Sequence, residues 1–396
     1  MEIRHISANE EIIASKIQSI AFAFNSDFET SQEQERKEDE SYKTCRAVFD
    51  ENGKMCSCLE LLPFEAMFNG KVVPLSGIGG VATLPEEIGK RYAQQLMAYC
   101  MEEMYEKGDV FSYLYPFSHV YYRKFGYELN MKVNNYSIPI EAFKIFKDRK
   151  NLKLFLPKED TQDIKRIYNE FIKDKNLALV RNNERWDGFF DKDPYKDNVY
   201  IYVLYHSDNQ PAGYIKYNVN KKAFDNKEMV INELVWIDFE ALSGIFSFIS
   251  GHAPQYRNVK WRAPEFIDLK LLFPEPYSIE CQELTHGMNR IVNVKKCLEL
   301  LEVPEHSGEI VIEVVDAFLN KNSGKYCLSW GNGSLEVTKS QRDADLICDI
   351  QSLSQLATGF STPKQLHLLN KVKLSGKALA AERLFTRKDL YINDGF

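Results

Sequence analysis

No stretch of these 396 residues approaches the about 20 consecutive apolar residues that a membrane-spanning helix requires. Histidine is scarce, with seven in the chain. None of His5, His119, His206, His252, His286, His306 and His367 stands at metal-ligand spacing. The eight cysteines (Cys45, Cys56, Cys58, Cys100, Cys281, Cys297, Cys327 and Cys348) are scattered. Cys56 and Cys58 share one face of a strand, but no second pair and no nearby histidine completes a zinc site. Buried, reduced thiols and no metal are the expectation. Positive charge is also short: 50 Lys and Arg face 57 Asp and Glu, for a net charge of −7. That balance argues against a general binder of nucleic acid or anionic membranes. The opening residues, Met1 to Ser7, are polar and carry no signal peptide, so a cytoplasmic location is expected. What the chain does have is a 44% apolar composition, enough for ample core, and a length that implies two to four domains.

Periodicity divides the chain into three parts. Ile12, Ile13, Ile17, Ile20, Ala21 and Phe24 line one face of a helix. Residues 29–42 are charged and predicted as a water-facing helix or loop. Strands follow, with hairpins at Asn52-Gly53 and Asn69-Gly70. Ala93, Leu96, Met97, Cys100, Met101, Met104 and Tyr105 then mark a helix that Gly108 ends, and Val110–Tyr115 reads as a buried strand. Residues 160–290 repeat this order of elements without repeating the sequence. Helices are predicted at about 160–174 and 184–190, and strands at Tyr200–Tyr205, Ala212–Val219, Met229–Ile237 and Val259–Ala263, with a helix at Glu240–Ile249. The remainder is a small α+β module. Strands there run through Ile310–Val314, Tyr326–Trp330, Leu335–Val337 and Ala344–Ile350, with helices near 352–359 and 376–385 capped by Ser352 and Ser375.

Two segments carry chemistry. Val81-Ala-Thr-Leu-Pro-Glu-Glu-Ile-Gly-Lys-Arg-Tyr-Ala93 reads as a strand entering a long helix through a loop with a glycine and two cations. Free N–H groups at a helix start, together with the helix dipole, suit a pyrophosphate. Tyr122-Arg-Lys-Phe-Gly-Tyr127 places a phenol before a Phe-Gly turn, where it can supply a proton.

Gly79-Gly-Val-Ala-Thr-Leu-Pro85, Tyr122–Tyr127 and Met288-Asn-Arg-Ile-Val292 resemble the Eis (enhanced intracellular survival) family of GCN5-related N-acetyltransferases, the GNAT fold. The likeness spans essentially the whole chain. It implies an α+β protein: a catalytic GNAT domain at 1–140, a second GNAT-like domain without a cofactor loop at 141–290, and a sterol-carrier-protein-like domain at 291–396. Met288–Val292 would open the last domain. The resemblance further implies acetyl-CoA as donor, an aminoglycoside-like primary amine as acceptor, and a homo-oligomeric hexamer. Val81 and Thr83 would pair with the pantetheine arm. Ile88, Gly89, Lys90 and Arg91 would receive the pyrophosphate, Lys90 and Arg91 as counter-charges. Tyr122 would be the general acid and the α-carboxylate of Phe396 the general base.

This loop departs from the family pattern, with Ile88 at an Arg/Gln place and Arg91 at a Gly place. Phe24 and Asp27, with Glu29, are candidates for the acceptor pocket. His119 lies close enough to be weighed as a base, and Tyr121 is the neighbour to be distinguished from Tyr122. Asp238 and Glu240 occupy the second domain's loop position, where they would repel pyrophosphate. The competing reading is a degenerate transferase that binds a lipid or small molecule.

Overall fold

The computed structural model describes residues 1–25, 41–148, 151–221 and 227–396. Most of the charged stretch 29–42, with Asp27 and Glu29, lies outside the described residues. The chain opens with β1 (Glu2–His5) and a helix at Glu11–Phe22. Three antiparallel strands follow: β2 (Cys45–Phe49), β3 (Met55–Phe68) and β4 (Lys71–Thr83). Asn69 and Gly70 have φ of 48° and 73°, the left-handed pair of a two-residue hairpin. The helix Tyr92–Lys107 buries Leu96, Met97, Cys100, Met101 and Met104 and stops at Gly108, where φ is 86°. β5 (Phe111–Leu114) then runs parallel to β4, and a short helix, His119–Arg123, leads into β6 (Glu128–Pro139).

The second lobe repeats this order, as its element pattern predicts. It contains β7 (Asn151–Leu154), a helix at Gln162–Ile172, β8 (Leu179–Val180), a helix at Asn183–Phe190, β9 (Val199–Tyr205), β10 (Pro211–Lys221) and β11 (Lys227–Trp236). The helix Phe239–Ser250 connects β11 to β12 (Asn258–Pro264), again a parallel pair.

One sheet joins the lobes. Its order among the described residues is β1-β2-β3-β4-β5-β13-β6-β12-β11-β10-β9-β7, with β8 paired to β3. The joining strand is β13 (Glu280–Ile291), which corrects one expectation. Met288–Ile291 does not open the last module. It pairs with Leu114, Tyr113, Ser112 and Phe111 of β5, while the other edge of β13 pairs with β6. The reason is ladder accounting. β6 is drawn to β12 of the second lobe, and without β13 the edge of β5 would be a buried row of unpaired backbone groups.

The last module begins with a helix at Val294–Glu299. Its strands are β14 (Gly308–Val315), β15 (Gly324–Gly331), β16 (Ser334–Lys339), β17 (Leu346–Asp349) and β18 (Val372–Leu374), in the order β16-β15-β14-β17-β18. Two details differ from the sequence reading. Ile350 starts the helix Ile350–Ala357 instead of ending a strand, because Asp349 caps it by accepting the Ser352 N–H. Ser375 donates its hydroxyl to the Ala344 carbonyl and caps no helix. The helix Pro363–Leu368, capped by Thr362, was not anticipated.

Arg290 of β13 ties all of this together while fully buried. It donates to the Phe125 carbonyl in the Tyr122–Tyr127 turn, and to Asp316 of the last module at 2.5 Å. Asp316 in turn accepts from Asn322 at 2.9 Å and from the Leu319 N–H at 2.9 Å. Removing one member of such a pair leaves an uncompensated buried charge. Arg290→Met should therefore lower unfolding free energy by about 3–5 kcal/mol in urea titrations. An unchanged urea midpoint would show that the pin carries no stability.

Candidate active site

β4 and β5 hold a parallel register only from Leu75–Phe111 to Ile78–Leu114. Beyond that point β5 ends and β4 continues to Thr83, so the two strands part and leave a wedge. On its other edge β4 stays on β3, with a register shift between Cys58 and Glu60 opposite Gly80 and Val81. Gly80 sits in the left-handed region at φ 56°, and a Cβ there would fall 2.2 Å from Gln18 Nε2. Only glycine admits both demands, and the resulting bulge re-aims the backbone at the mouth of the wedge. Val81 is half-buried there, and the Thr83 hydroxyl lies 2.9 Å from Ser57 Oγ.

The C-terminal residue reaches this wedge. The Phe396 ring packs on Phe64 (4.9 Å between centroids) and Tyr115 (5.2 Å). A Cβ on Gly77 would collide with that ring at 2.5 Å, so the seat needs glycine beneath it. The Phe396 carboxyl carbon lies 3.8 Å from where a Gly79 Cβ would stand, and Glu60 Oε2 lies 3.7 Å from the same point. Two carboxyl groups thus converge on Gly79. Glu60 was not anticipated. Its signal was a carboxylate set in the apolar run of β3, and Gln18 Nε2 holds it at 2.8 Å.

The tail is tethered residue by residue. Asn176 N–H donates to Asp389 O at 2.8 Å, and Tyr391 N–H donates to Asn176 O at 3.2 Å. Tyr115 Oη donates to Asp394 O at 2.7 Å. Buried Arg181 binds the Asp394 carboxylate at 2.8 Å and grips Glu233 with both terminal nitrogens. Arg185 donates to Gly395 O at 3.4 Å.

Tyr122 is buried on the short helix that Ser118 caps. Its ring belongs to the same apolar cluster as Ile78, Leu114 and the half-buried Val81. Burial, then neighbouring Tyr121 and Tyr127, push its phenol well above the usual value, and it stays protonated at any ordinary pH. Tyr121 is less buried and stacks edge-on against it. His119 begins the same helix, and its Nε2 is sealed from water with no partner among the described residues.

The loop beyond β4 is arranged differently from its reading. Lys90 is not held out as a counter-charge: it pairs with Glu87 at 2.7 Å. Glu86 and Glu87 share Lys54 as well, at 3.0 and 3.1 Å. Ile88 is exposed, and nothing lies within 4 Å of a Cβ on Gly89, whose φ is 93°. Arg91 is exposed and left-handed at φ 63°. It keeps the conformation glycine adopts freely, at a cost of roughly 1 kcal/mol, and its side chain is turned to solvent. The helix it precedes has no side-chain cap and no acidic residue in its first turn. Phe24 is exposed, just past the left-handed Ala23 that ends the first helix.

The second lobe has an equivalent wedge, since β11 and β12 keep parallel register only as far as Ile231–Trp261. There the tail lies against it. Asn393 Nδ2 donates to Asn232 O at 3.1 Å, and the space between Leu390–Asn393 and the two strands is about 20 Å³. The following helix is capped by Asp238, which accepts the Ala241 N–H at 2.8 Å, with Glu240 beside it.

Residues 2–130 match the acetyltransferase (GNAT) domain family, residues 177–291 match a second acetyltransferase (GNAT) domain family, and residues 294–393 match the sterol carrier protein domain. The chain is a GNAT acetyltransferase of Eis-like architecture. A GCN5-related N-acetyltransferase from Anabaena variabilis is 27% identical over 100% of both chains, with a TM-score of 0.87. A probable N-acyltransferase from Enterococcus faecalis is 21% identical over 98% of this chain and 99% of its own, with a TM-score of 0.84. Eis1 from Mycobacterium abscessus shares the fold at 19% identity, over 100% of both chains, with a TM-score of 0.80. No curated protein sequence matches significantly. GNAT domains use acetyl-CoA. Among the described residues, no cluster of His, Cys, Asp and Glu would hold a metal, and no helix is long and apolar enough to cross a membrane.

His286 of β13 stands against Tyr115, with ring centroids 5.0 Å apart. Burial, then the Arg262 charge, pull its pKa from 6.5 to about 4. The folded chain therefore refuses a proton that the unfolded chain accepts below about pH 6.5. Stability should fall as pH drops from 6.5 toward 4, with this residue accounting for at most about 3 kcal/mol. Thermal melts of His286→Gln across that range should show a shallower acid loss, and identical slopes would remove the assignment.

Proposed function

We propose that the protein transfers the acetyl group of acetyl-CoA to a primary amine in the first wedge, within a homo-oligomer. The observation that carries this reading is the convergence of Phe396 on β4, where the strand parts from β5. The domains act as 1–140 catalytic, 141–290 supporting, and 291–396 delivering the tail.

The parted edge of β4 at Val81 and Thr83 offers backbone groups to a pantetheine arm, and a backbone N–H there polarises the thioester carbonyl. The uncapped start of the Tyr92–Lys107 helix, with Gly89 and Arg91, accepts the pyrophosphate, and Ile88 stands at the rim. Arg91 holds the glycine-like backbone and points outward, which supports cofactor access. Lys90, already paired with Glu87, contributes less than Arg91.

The Phe396 carboxylate takes a proton from the incoming ammonium. The amine nitrogen then bonds to the carbonyl carbon and releases its second proton to the medium, and the C–S bond breaks as the tetrahedral centre collapses. Tyr122 gives its proton to the departing thiolate and recovers one from the medium. The balance is one ammonium and one thioester in, one amide, one thiol and one proton out. Holding amine and thioester together supplies much of the rate. The tail seated over the second wedge, and the carboxylates Asp238 and Glu240 at its helix, support a second domain that binds no CoA.

Aminoglycoside-like polyamines, expected from the Eis resemblance, belong in the first acceptor panel. Phe24 and Asp27 remain candidates for that pocket. For the alternative of lipid carriage, the pocket between Asn69 of the first lobe and Leu301 and Phe385 of the last module holds about 70 Å³, too little for a lipid chain at that place.

Tyr122→Phe should lower kcat by about 10²–10⁴-fold with little change in the KM for acetyl-CoA, read by thiol release. An unchanged kcat would remove the acid role. Adding a few residues after Phe396 should cut turnover by a comparable factor, because the carboxylate becomes an amide. Full activity in the extended protein would end the base assignment.

A further inference from the structure

A cavity of about 650 Å³ opens where the tail crosses the second lobe, and its wall includes Gly395, the residue before Phe396. Its charge runs against that of the chain. Five cations line it, Arg181, Arg185, Lys216, Lys260 and Arg262, against two carboxylates, Glu233 and Asp394. The lining is thus three positive (5 − 2) in a protein of net −7.

The two carboxylates make their hydrogen-bonded ion pairs with one cation, although the Glu233 charge is also felt at Lys216. That cation is Arg181, with Glu233 held at 3.0 Å by Nη1 and Asp394 at 2.8 Å by Nε. Arg185 reaches Asp394 only at 4.0 Å. Among the described residues, Lys216 has no carboxylate in hydrogen-bond reach. Its Nζ donates to the Phe189 carbonyl at 2.7 Å, and burial holds its pKa below the ordinary value. Lys260 donates to Ser137 Oγ at 2.7 Å and stands 3.9 Å from Glu228. Arg262 is exposed on β12, and no ion pair to it occurs among the described residues. The wall therefore keeps cations that are half-buried or only loosely paired, on two strands, β10 and β12, that flank β11, and on the helix Asn183–Phe190.

A polycation such as an aminoglycoside would meet like charge on this wall. An anion would be matched, and would relieve the burial cost of Lys216. One residue beyond Gly395, Phe396 and Glu60 gather negative charge at Gly79, where the acetyl-transfer reading places the ammonium. We propose that the acceptor is a primary amine that also carries an anionic group, a carboxylate or a phosphate, seated against Lys216, Lys260 and Arg262. This rests on the acetyl-transfer reading and names the class of acceptor for it.

The test uses the full-length protein and acceptor pairs that differ in the anion: lysine with lysinamide, and phosphoethanolamine with ethanolamine, beside kanamycin. Thiol release should give kcat/KM at least about 10-fold higher for the anionic member of one pair, the worth of about 1.4 kcal/mol. The pair that responds separates carboxylate from phosphate. Arg262→Gln and added salt should each shrink that ratio toward one. A ratio at or below one in both pairs, or kanamycin outrunning every anionic amine, overturns the proposal. If no amine releases thiol, the acetyl-transfer reading fails, and calorimetry decides the cavity by itself. Phosphoethanolamine or lysine binding more tightly than the partner that lacks the anion, and more weakly to Arg262→Gln, supports the anion seat; equal or absent binding overturns it.

Discussion

The ladder from β5 through β13 and β6 to β12 sets the geometry on which everything else depends. A strand pairing cannot slide by fractions of a residue, and a slip of one residue turns every side chain to the wrong face. Both lobes are therefore locked to each other in register, not by loose surface packing. The same strand carries Arg290, so the ladder also fixes the turn that presents Tyr122 and the module that sends out the tail. The tail's origin and its destination are thereby held in one frame.

Energetically the tail is bound as a ligand would be. It has an aromatic anchor at Phe396, a buried charge clamp at Arg181, and backbone bonds at Asn176. The clamp is costly to desolvate, and its worth lies more in specifying one position than in raw stability. Around it the charges separate. Carboxylates collect at Gly79, and cations collect on the second lobe's wall. This polarity comes from residues spread over the whole chain.

Much of the fold was legible because its strands and helices obey simple periods. The helix with Leu96, Met97, Cys100 and Met104 was readable from spacing, as was the Asn69-Gly70 turn. Tyr122 and the Gly79–Pro85 strand stood out as motifs. What was not legible was long-range. Nothing local in Met288–Ile291 says that it completes a sheet begun near residue 111, since a buried strand reads alike wherever it pairs. Lys90 looked free because its partner Glu87 was read as part of the loop, not as its counter-ion. The cavity wall was invisible for the same reason. Arg181, Lys216 and the Lys260–Arg262 pair lie in three separate stretches, each unremarkable by itself. Phe24 could be named but not seated, and Asp27 lies outside the described residues.

The segment Leu390–Asn393, laid against the parting of β11 and β12, has a consequence for how this duplicated architecture can change. The second cleft is stoppered by the chain's own peptide, and that peptide continues into the first. Clearing the stopper would drag Phe396 off its glycine seat. The two halves are thus not independent: the peptide laid over one cleft is the peptide seated in the other, and they behave as a lock and its latch.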